Sequence, residues 1–143
     1  LLLGAVSLRL REDYLAIVRH ARKTAPIEDC GLIGGRIDEA TGEKFVEKVF
    51  FLTNTDHSEE HFSLAPKEQF AAVKELRAQG LDLLGNWHSH PASPSRPSEE
   101  DKRLAFDREA SYLILSLNGG EPVLNSFHVA GDKTVTKEDL RIR

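Results

Sequence analysis

Asn86-Trp87-His88-Ser89-His90-Pro91 places two histidines two positions apart, and a loop containing Pro94 and Pro97 carries the chain on to Ser98-Glu99-Glu100-Asp101. In an extended segment side chains alternate between faces, so His88 and His90 point the same way. Asp101 stands eleven positions after His90, just inside a segment that opens like a helix. Two imidazoles and one carboxylate suit a zinc ion that keeps one coordination position for water, the ligand set of a catalytic rather than a structural site. This stretch lacks a base, which the remainder of the chain has to supply together with the scaffold.

The chain of 143 residues suits a single domain spanning 1–143, long enough to bury most of the surface its unfolded form would expose. With 40% apolar and 29% charged residues the composition is that of a soluble globular protein. A net charge of -4 leaves no basic footprint for nucleic acid. Cys30 is the single cysteine, so no intrachain disulfide forms and a reducing, cytoplasmic setting is expected. The opening Leu1-Leu2-Leu3-Gly4-Ala5-Val6 is too short to span a membrane and lacks the basic flank of a signal peptide. No methionine occurs, even at position 1, so the native start residue is expected to be missing and the first residues carry little weight.

Working outward, Leu81 to Gly85 leads as a strand into the histidine pair. Upstream of it, Pro66 suits a first helical position and Gly80 a helix exit, with Phe70, Val73 and Leu76 as the apolar stripe between them. Downstream, Ser98 and Asp101 have the spacing of a capping box, with Leu104 and Ala105 following on the Asp101 side. Tyr112 to Leu117 reads as a buried strand, Asn118-Gly119-Gly120 as a turn, and Val123 to Val129 as the hairpin partner. Thr134 to Ile142 is expected as an edge strand or a frayed tail.

In the first half, Val6 to Leu10 alternates like a short strand. Tyr14, Ile17, Val18, Ala21 and Ala25 fall at helical spacing, and Pro26 stops that helix. The apolar, glycine-containing run after Glu28 reads as a buried central strand. Lys44 to Leu52 returns antiparallel to it, and His61 to Leu64 is a candidate further strand. Helices and strands mix without repeat or linker, which argues an α/β layer fold with a mixed sheet.

The bland readings compete at each candidate residue. His57 and His61 are four apart but lie in a polar loop, and neither they nor His20 and His128 are expected to bind metal. Cys30 reads as core, Asp29 as a solvated neighbour of Glu28, Trp87 as core or pocket wall, and Ser89 and Pro91 as loop-shaping residues. Glu99 and Glu100 suit a helix N-terminus electrostatically. Ser98 and Asp101 could be no more than a capping box, although a metal-bound Asp101 cannot spend both oxygens on capping.

His88-Ser89-His90-Pro91, six further residues, then Ser98 and Asp101 resembles the signature of the JAMM (MPN-plus) zinc metallopeptidases. In that family a glutamate lies well upstream beside the first central strand, and Glu28-Asp29-Cys30-Gly31, 60 residues before His88, matches it. The similarity extends to the order of elements over nearly the whole chain. It implies a single-domain MPN (JAMM) fold, a mixed sheet flanked by about three helices with a cytidine-deaminase-like architecture. It further implies that His88, His90 and Asp101 bind Zn2+, that Glu28 is the general base, and that Ser98 stabilises the oxyanion.

Such enzymes cleave the amide bond after the Gly-Gly tail of ubiquitin-fold proteins. The Asn86 to Pro91, Pro94 to Asp101 and Ser111 to Leu117 stretches resemble small bacterial members that accompany sulfur-carrier proteins of the ThiS/MoaD kind. A zinc peptidase processing such a carrier is the leading expectation. A deubiquitinase-like isopeptidase, a RadC-like DNA-repair-associated enzyme and a catalytically silent MPN scaffold are the alternatives. The RadC-like wording His-Asn-His-Pro-Ser-Gly is absent here, and silent members have lost ligands that this chain keeps.

Overall fold

In the computed structural model, which describes residues 5–8 and 11–143, three helices pack on one mixed sheet. In chain order the elements are β1 (Val6–Leu8), α1 (Arg11–Thr24), β2 (Cys30–Ile37), β3 (Lys44–Leu52), α2 (Pro66–Ala78), β4 (Asp82–His90), α3 (Glu99–Arg103), β5 (Ser111–Ser116), β6 (Val123–Val129), β7 (Val135–Glu138) and β8 (Leu140–Ile142). The sheet order is β7-β6-β5-β4-β2-β3-β1-β8. β4 and β5 run parallel, as do β1 with β3 and β1 with β8; the remaining pairs are antiparallel. The expected mixed α/β sheet with three helices is therefore what forms. The opening Leu1 to Gly4 and the Arg9-Leu10 end of the expected first strand lie outside the described residues. Among the described residues no helix is long and apolar enough to cross a membrane.

The C-terminal stretch is neither one edge strand nor a frayed tail. β7 and β8 occupy opposite ends of the strand order, yet Asp139 alone separates them in the chain. Two residue steps span at most about 7 Å, so the two ends of the sheet must meet and the sheet is rolled rather than flat. The Val6 N–H donates to the Asp139 carbonyl at 2.8 Å, tying this junction residue to β1.

Inside the roll, β2 lies between β3 and β4 and is buried from Cys30 to Gly35. Ile17, Val18 and Ala21 form the buried stripe of α1, with acidic residues in its first turn and basic ones in its last, as the helix dipole favours. Trp87 is fully buried, and its Nε1–H donates to the Phe50 carbonyl at 3.0 Å. Gly31 makes that contact possible, because a Cβ there would stand 1.7 Å from the Phe50 oxygen and 2.3 Å from Trp87 Nε1. The oxygen belongs to a paired strand and cannot retreat, so Gly31→Ala is expected to destabilise the fold by about 3 kcal/mol. The denaturation midpoint in urea measures this, and an unchanged midpoint would show that the sheet can open at this point.

Two expectations about the scaffold are corrected. Phe70 is not part of the buried stripe of α2 but 72% exposed; Ala72 and Leu76 face inward instead. The cause is Gly34: Leu76 packs over it so closely that a Cβ would lie 2.3 Å from Leu76 Cδ2. Ala72 lies one turn before Leu76 on the same face, while a residue two before Ala72 is turned away. The His61 to Leu64 segment forms no strand; a single antiparallel bridge joins Leu64 to Asn54. The helix entry at Pro66 and the exit at Gly80, with φ +69°, stand as expected.

Candidate metal centre and active site

β4 delivers both histidines. Its last residues, His88 to His90, are buried between β2 and β5, and alternation along the strand sets the two rings on one side with their Nε2 atoms 3.0 Å apart. The loop that follows is held to the neighbouring strands. Ser116 Oγ–H donates to the Ser93 carbonyl and Ser95 Oγ–H to the Ile114 carbonyl, both at 2.6 Å, and Asn125 Nδ2–H donates to Ser95 Oγ at 3.1 Å. This loop returns the chain to α3 with Asp101 facing the rings.

The capping box is present. Ser98 Oγ accepts the Asp101 N–H at 3.0 Å, and Asp101 Oδ2 accepts the Ser98 N–H at 2.9 Å. The same Oδ2 lies 3.1 Å from His88 Nε2 and 3.1 Å from His90 Nε2. The cap therefore directs Asp101 at the histidines instead of competing with them.

These three atoms fit a metal ion. Their separations of 3.0, 3.1 and 3.1 Å approach the edge of about 3.3 Å that a tetrahedral zinc site with bonds of about 2.0–2.1 Å requires. The tautomer fits as well. His90 Nδ1–H donates to the Pro94 carbonyl at 2.9 Å, so a neutral ring offers its Nε2 lone pair to the centre. In the neutral ring that lone pair faces the Asp101 carboxylate oxygen, a contact that either a bound cation or the proton of a charged imidazole satisfies. Burial lowers the His88 pKa. Burial works the same way on His90, but hydrogen bonds to Asp101 and Pro94 outweigh it and leave that pKa raised. The Asp101 carboxyl would also be raised by burial, yet the two histidines hold it well below the usual carboxylate range. The Phe62 ring stacks on His88 with centroids 4.5 Å apart.

Glu28 comes from the segment leading into β2, two residues ahead of its first ladder residue. It is 3% exposed, and its Oε1 is buried without a hydrogen-bond partner among the described residues. Burial pushes its pKa up to about 8; His90 opposes the shift and Asp101 adds to it, so the carboxyl lies within the field of the histidine–aspartate group. Ser89 stitches this segment to β4: its Oγ accepts the Asp29 N–H at 2.8 Å and its N–H donates to the Asp29 carbonyl at 2.9 Å.

Asp29 is not the solvated neighbour that was expected. It is buried, its Oδ1 accepts the Cys30 N–H at 3.0 Å, and its Oδ2 pairs with His20 Nδ1. The β2 ladder begins only at Cys30, and the Asp29 side chain satisfies the donor there. Ser89 likewise does more than shape a loop. Cys30 and Trp87 are core, as expected. His61 pairs with Asp56 at 3.0 Å, and the group formed by His88, His90 and Asp101 is the metal-capable cluster found among the described residues. Residue spacing missed Asn54, a buried side chain in the loop after β3; an asparagine between a strand end and a polar turn was the available signal. A cavity of about 370 Å³ opens beside the centre, lined by His88, Asp101, Phe62, Leu64, Phe106 and Tyr112 among others.

A rolled mixed sheet with His-x-His closing one strand, an aspartate on the next helix and a buried glutamate at the head of the neighbouring strand defines a hydrolase of the JAMM/MPN class. The model for prokaryotic homologs of the JAB domain matches residues 11–129, and the chain belongs to this family. It is 28% identical to the CysO-cysteine peptidase of Mycobacterium tuberculosis over 93% of this chain and 89% of the relative. It is 30% identical to the desampylase of Pyrococcus furiosus over 79% of this chain and 76% of the relative. The solution structure of DSY2949 from Desulfitobacterium hafniense, 47% identical, superposes with a TM-score of 0.86 over 96% of this chain and 92% of that one.

Proposed function

We propose that residues 1–143 form a single-domain, cytoplasmic zinc peptidase that hydrolyses the amide bond after the Gly-Gly C-terminus of a ubiquitin-fold sulfur-carrier protein. The observation that carries this reading is the convergence of His88 Nε2, His90 Nε2 and Asp101 Oδ2 within 3.1 Å of one another, with the buried carboxyl of Glu28 in their field. The names of the two relatives, a peptidase of CysO-cysteine and a desampylase, support the substrate class.

His88, His90 and Asp101 would hold the zinc ion. Held there, a zinc ion would supply Lewis-acid chemistry, lowering the pKa of water to about 7. Glu28 takes the proton of the attacking water on Oε1, the buried oxygen with no partner among the described residues, and passes it to the leaving amine. The Ser98 Oγ lone pair is engaged by the Asp101 N–H, which leaves its O–H to donate to the carbonyl oxygen as negative charge develops. A glycine before the scissile bond lets an extended tail approach without side-chain clash.

Ser98→Ala removes both duties. Loss of the cap is expected to cost about 1 kcal/mol of stability, and loss of the oxyanion donor about 10²-fold in kcat. Unfolding and steady-state rates separate the two, and an unchanged kcat would leave Ser98 a cap alone. The reading as a whole is tested by incubating the protein with a sulfur carrier that bears a C-terminal extension and following its mass. Trimming back to Gly-Gly is expected. An untouched extension alongside cleavage of a ubiquitin chain would overturn the choice of substrate in favour of a deubiquitinase-like isopeptidase.

A further inference from the structure

Glu28 lies outside the β2 ladder, so the sheet does not fix it and other bonds must. Its N–H donates to the Ser58 carbonyl at 2.8 Å, and its own carbonyl accepts Asn54 Nδ2–H at 3.0 Å. Asn54 is 6% exposed and uses its whole carboxamide. Nδ2 also donates to the His61 carbonyl at 3.0 Å, while Oδ1 accepts the Asp56 N–H at 3.0 Å and the Ser63 N–H at 3.1 Å. A flipped amide would set oxygen against two carbonyls, so the orientation is determined by its partners.

The two loop contacts, at 61 and 63, bracket Phe62, the ring stacked on His88. One buried side chain thus grips the main chain of Glu28 and clamps the loop that covers a histidine of the centre. Resting on the reading of Glu28 as base, we infer that Asn54 is a positioning residue for the reaction: it sets Glu28 and the Phe62 cover on His88 relative to each other. A proton acceptor displaced by about 1 Å loses about 10²-fold in rate, which is the scale of the expected effect.

Asn54→Asp keeps the shape but turns a carboxylate oxygen toward the carbonyls of Glu28 and His61, each 3.0 Å from the present Nδ2. The test is a double-mutant cycle of Asn54→Asp with Glu28→Gln, repeated with Asn54→Ser, which buries no charge; zinc content and circular dichroism verify that each variant is folded and loaded. Asn54→Asp alone is expected to lower kcat about 10²-fold with zinc content and KM unchanged. In the Glu28→Gln background the same change is expected to cost less than about twofold, because the group it positions is already gone.

Independent losses that multiply in the double variant would overturn the inference. Unchanged turnover in Glu28→Gln alone would defeat the base assignment instead, a distinct result. Apart from turnover, the Asp29 amide and His88 ring resonances are expected to move in Asn54→Asp along with those of Asp56 and Ser63. Unmoved Asp29 and His88 signals would overturn the inference even if no carrier is cleaved.

Discussion

Asp101→Ala is expected to purify with almost no zinc, where the unaltered protein carries about one ion per chain, and to lose cleavage by about 10³- to 10⁴-fold. Oδ2 of this residue lies 3.1 Å from each histidine nitrogen and completes the three-atom group that could hold the ion, and two imidazoles alone would leave it half-held. The rate loss corresponds to the several kcal/mol of charge stabilisation that a bound metal supplies, at about 1.4 kcal/mol per decade. The substitution also removes the acceptor for the Ser98 N–H, so some loss of stability accompanies it. Asp101→Asn separates the two effects, since an amide oxygen still accepts that N–H but is a poor zinc ligand. Elemental analysis and cleavage rates on both variants, with His88→Ala as a third, check the assignment. A fully active, metal-free Asp101→Ala protein would remove the metal centre from the account.

Glu28→Gln is expected to behave oppositely toward the metal, keeping zinc at one per chain while turnover falls about 10²- to 10⁴-fold, the usual worth of a general base. The same variant carries a second signature in protein stripped of metal by a chelator. The unfolded chain loses the Glu28 proton near its ordinary value of 4.5, and the folded chain, because of burial, near 8. Between these values the folded state binds more protons than the unfolded one, so its stability falls as pH rises and is lowest above 8. Glutamine mimics the protonated form and escapes this fall. Urea unfolding at pH 5 should then scarcely distinguish the two proteins, whereas at pH 9 the glutamine variant should be the more stable by up to about 5 kcal/mol. Equal pH dependence in both would mean that burial does not hold the Glu28 proton.

Much of this was legible because its information is local. The bounds of β3, Lys44–Leu52, and β6, Val123–Val129, follow from runs of strand-forming residues ended by turns. The stripe of α1 and its stop before Pro26 need only a repeat of 3.6 and the restricted backbone ahead of proline. The pairing of His88 with His90 needs only the alternation of a strand, and the capping box only a spacing of three. The link from Glu28 to this group came from resemblance, for nothing in local spacing joins residues 60 positions apart.

What lay beyond local spacing was every quantity set by register and packing. Phe70 fits the helical period as well as Leu76 does, but Leu76 meets Gly34 across the interface and so determines how α2 is rotated. Asp29 is as polar as any surface residue, yet the ladder starting at Cys30 turns its carboxylate inward to satisfy a donor. The ends of the strand order meet at Asp139 only because the sheet is rolled, and short strands carry no periodic trace of that curvature. Residue types and spacings thus named His88, His90 and Asp101 as a group that could hold a metal ion, since residues on one strand and at one helix start are encoded nearby. The seat of Glu28 depended on Asn54 and Ser58, partners 26 and 30 positions away, and on Ser89, which holds the adjacent Asp29 from 60 positions away; contacts at that range exist only once the chain has closed on itself.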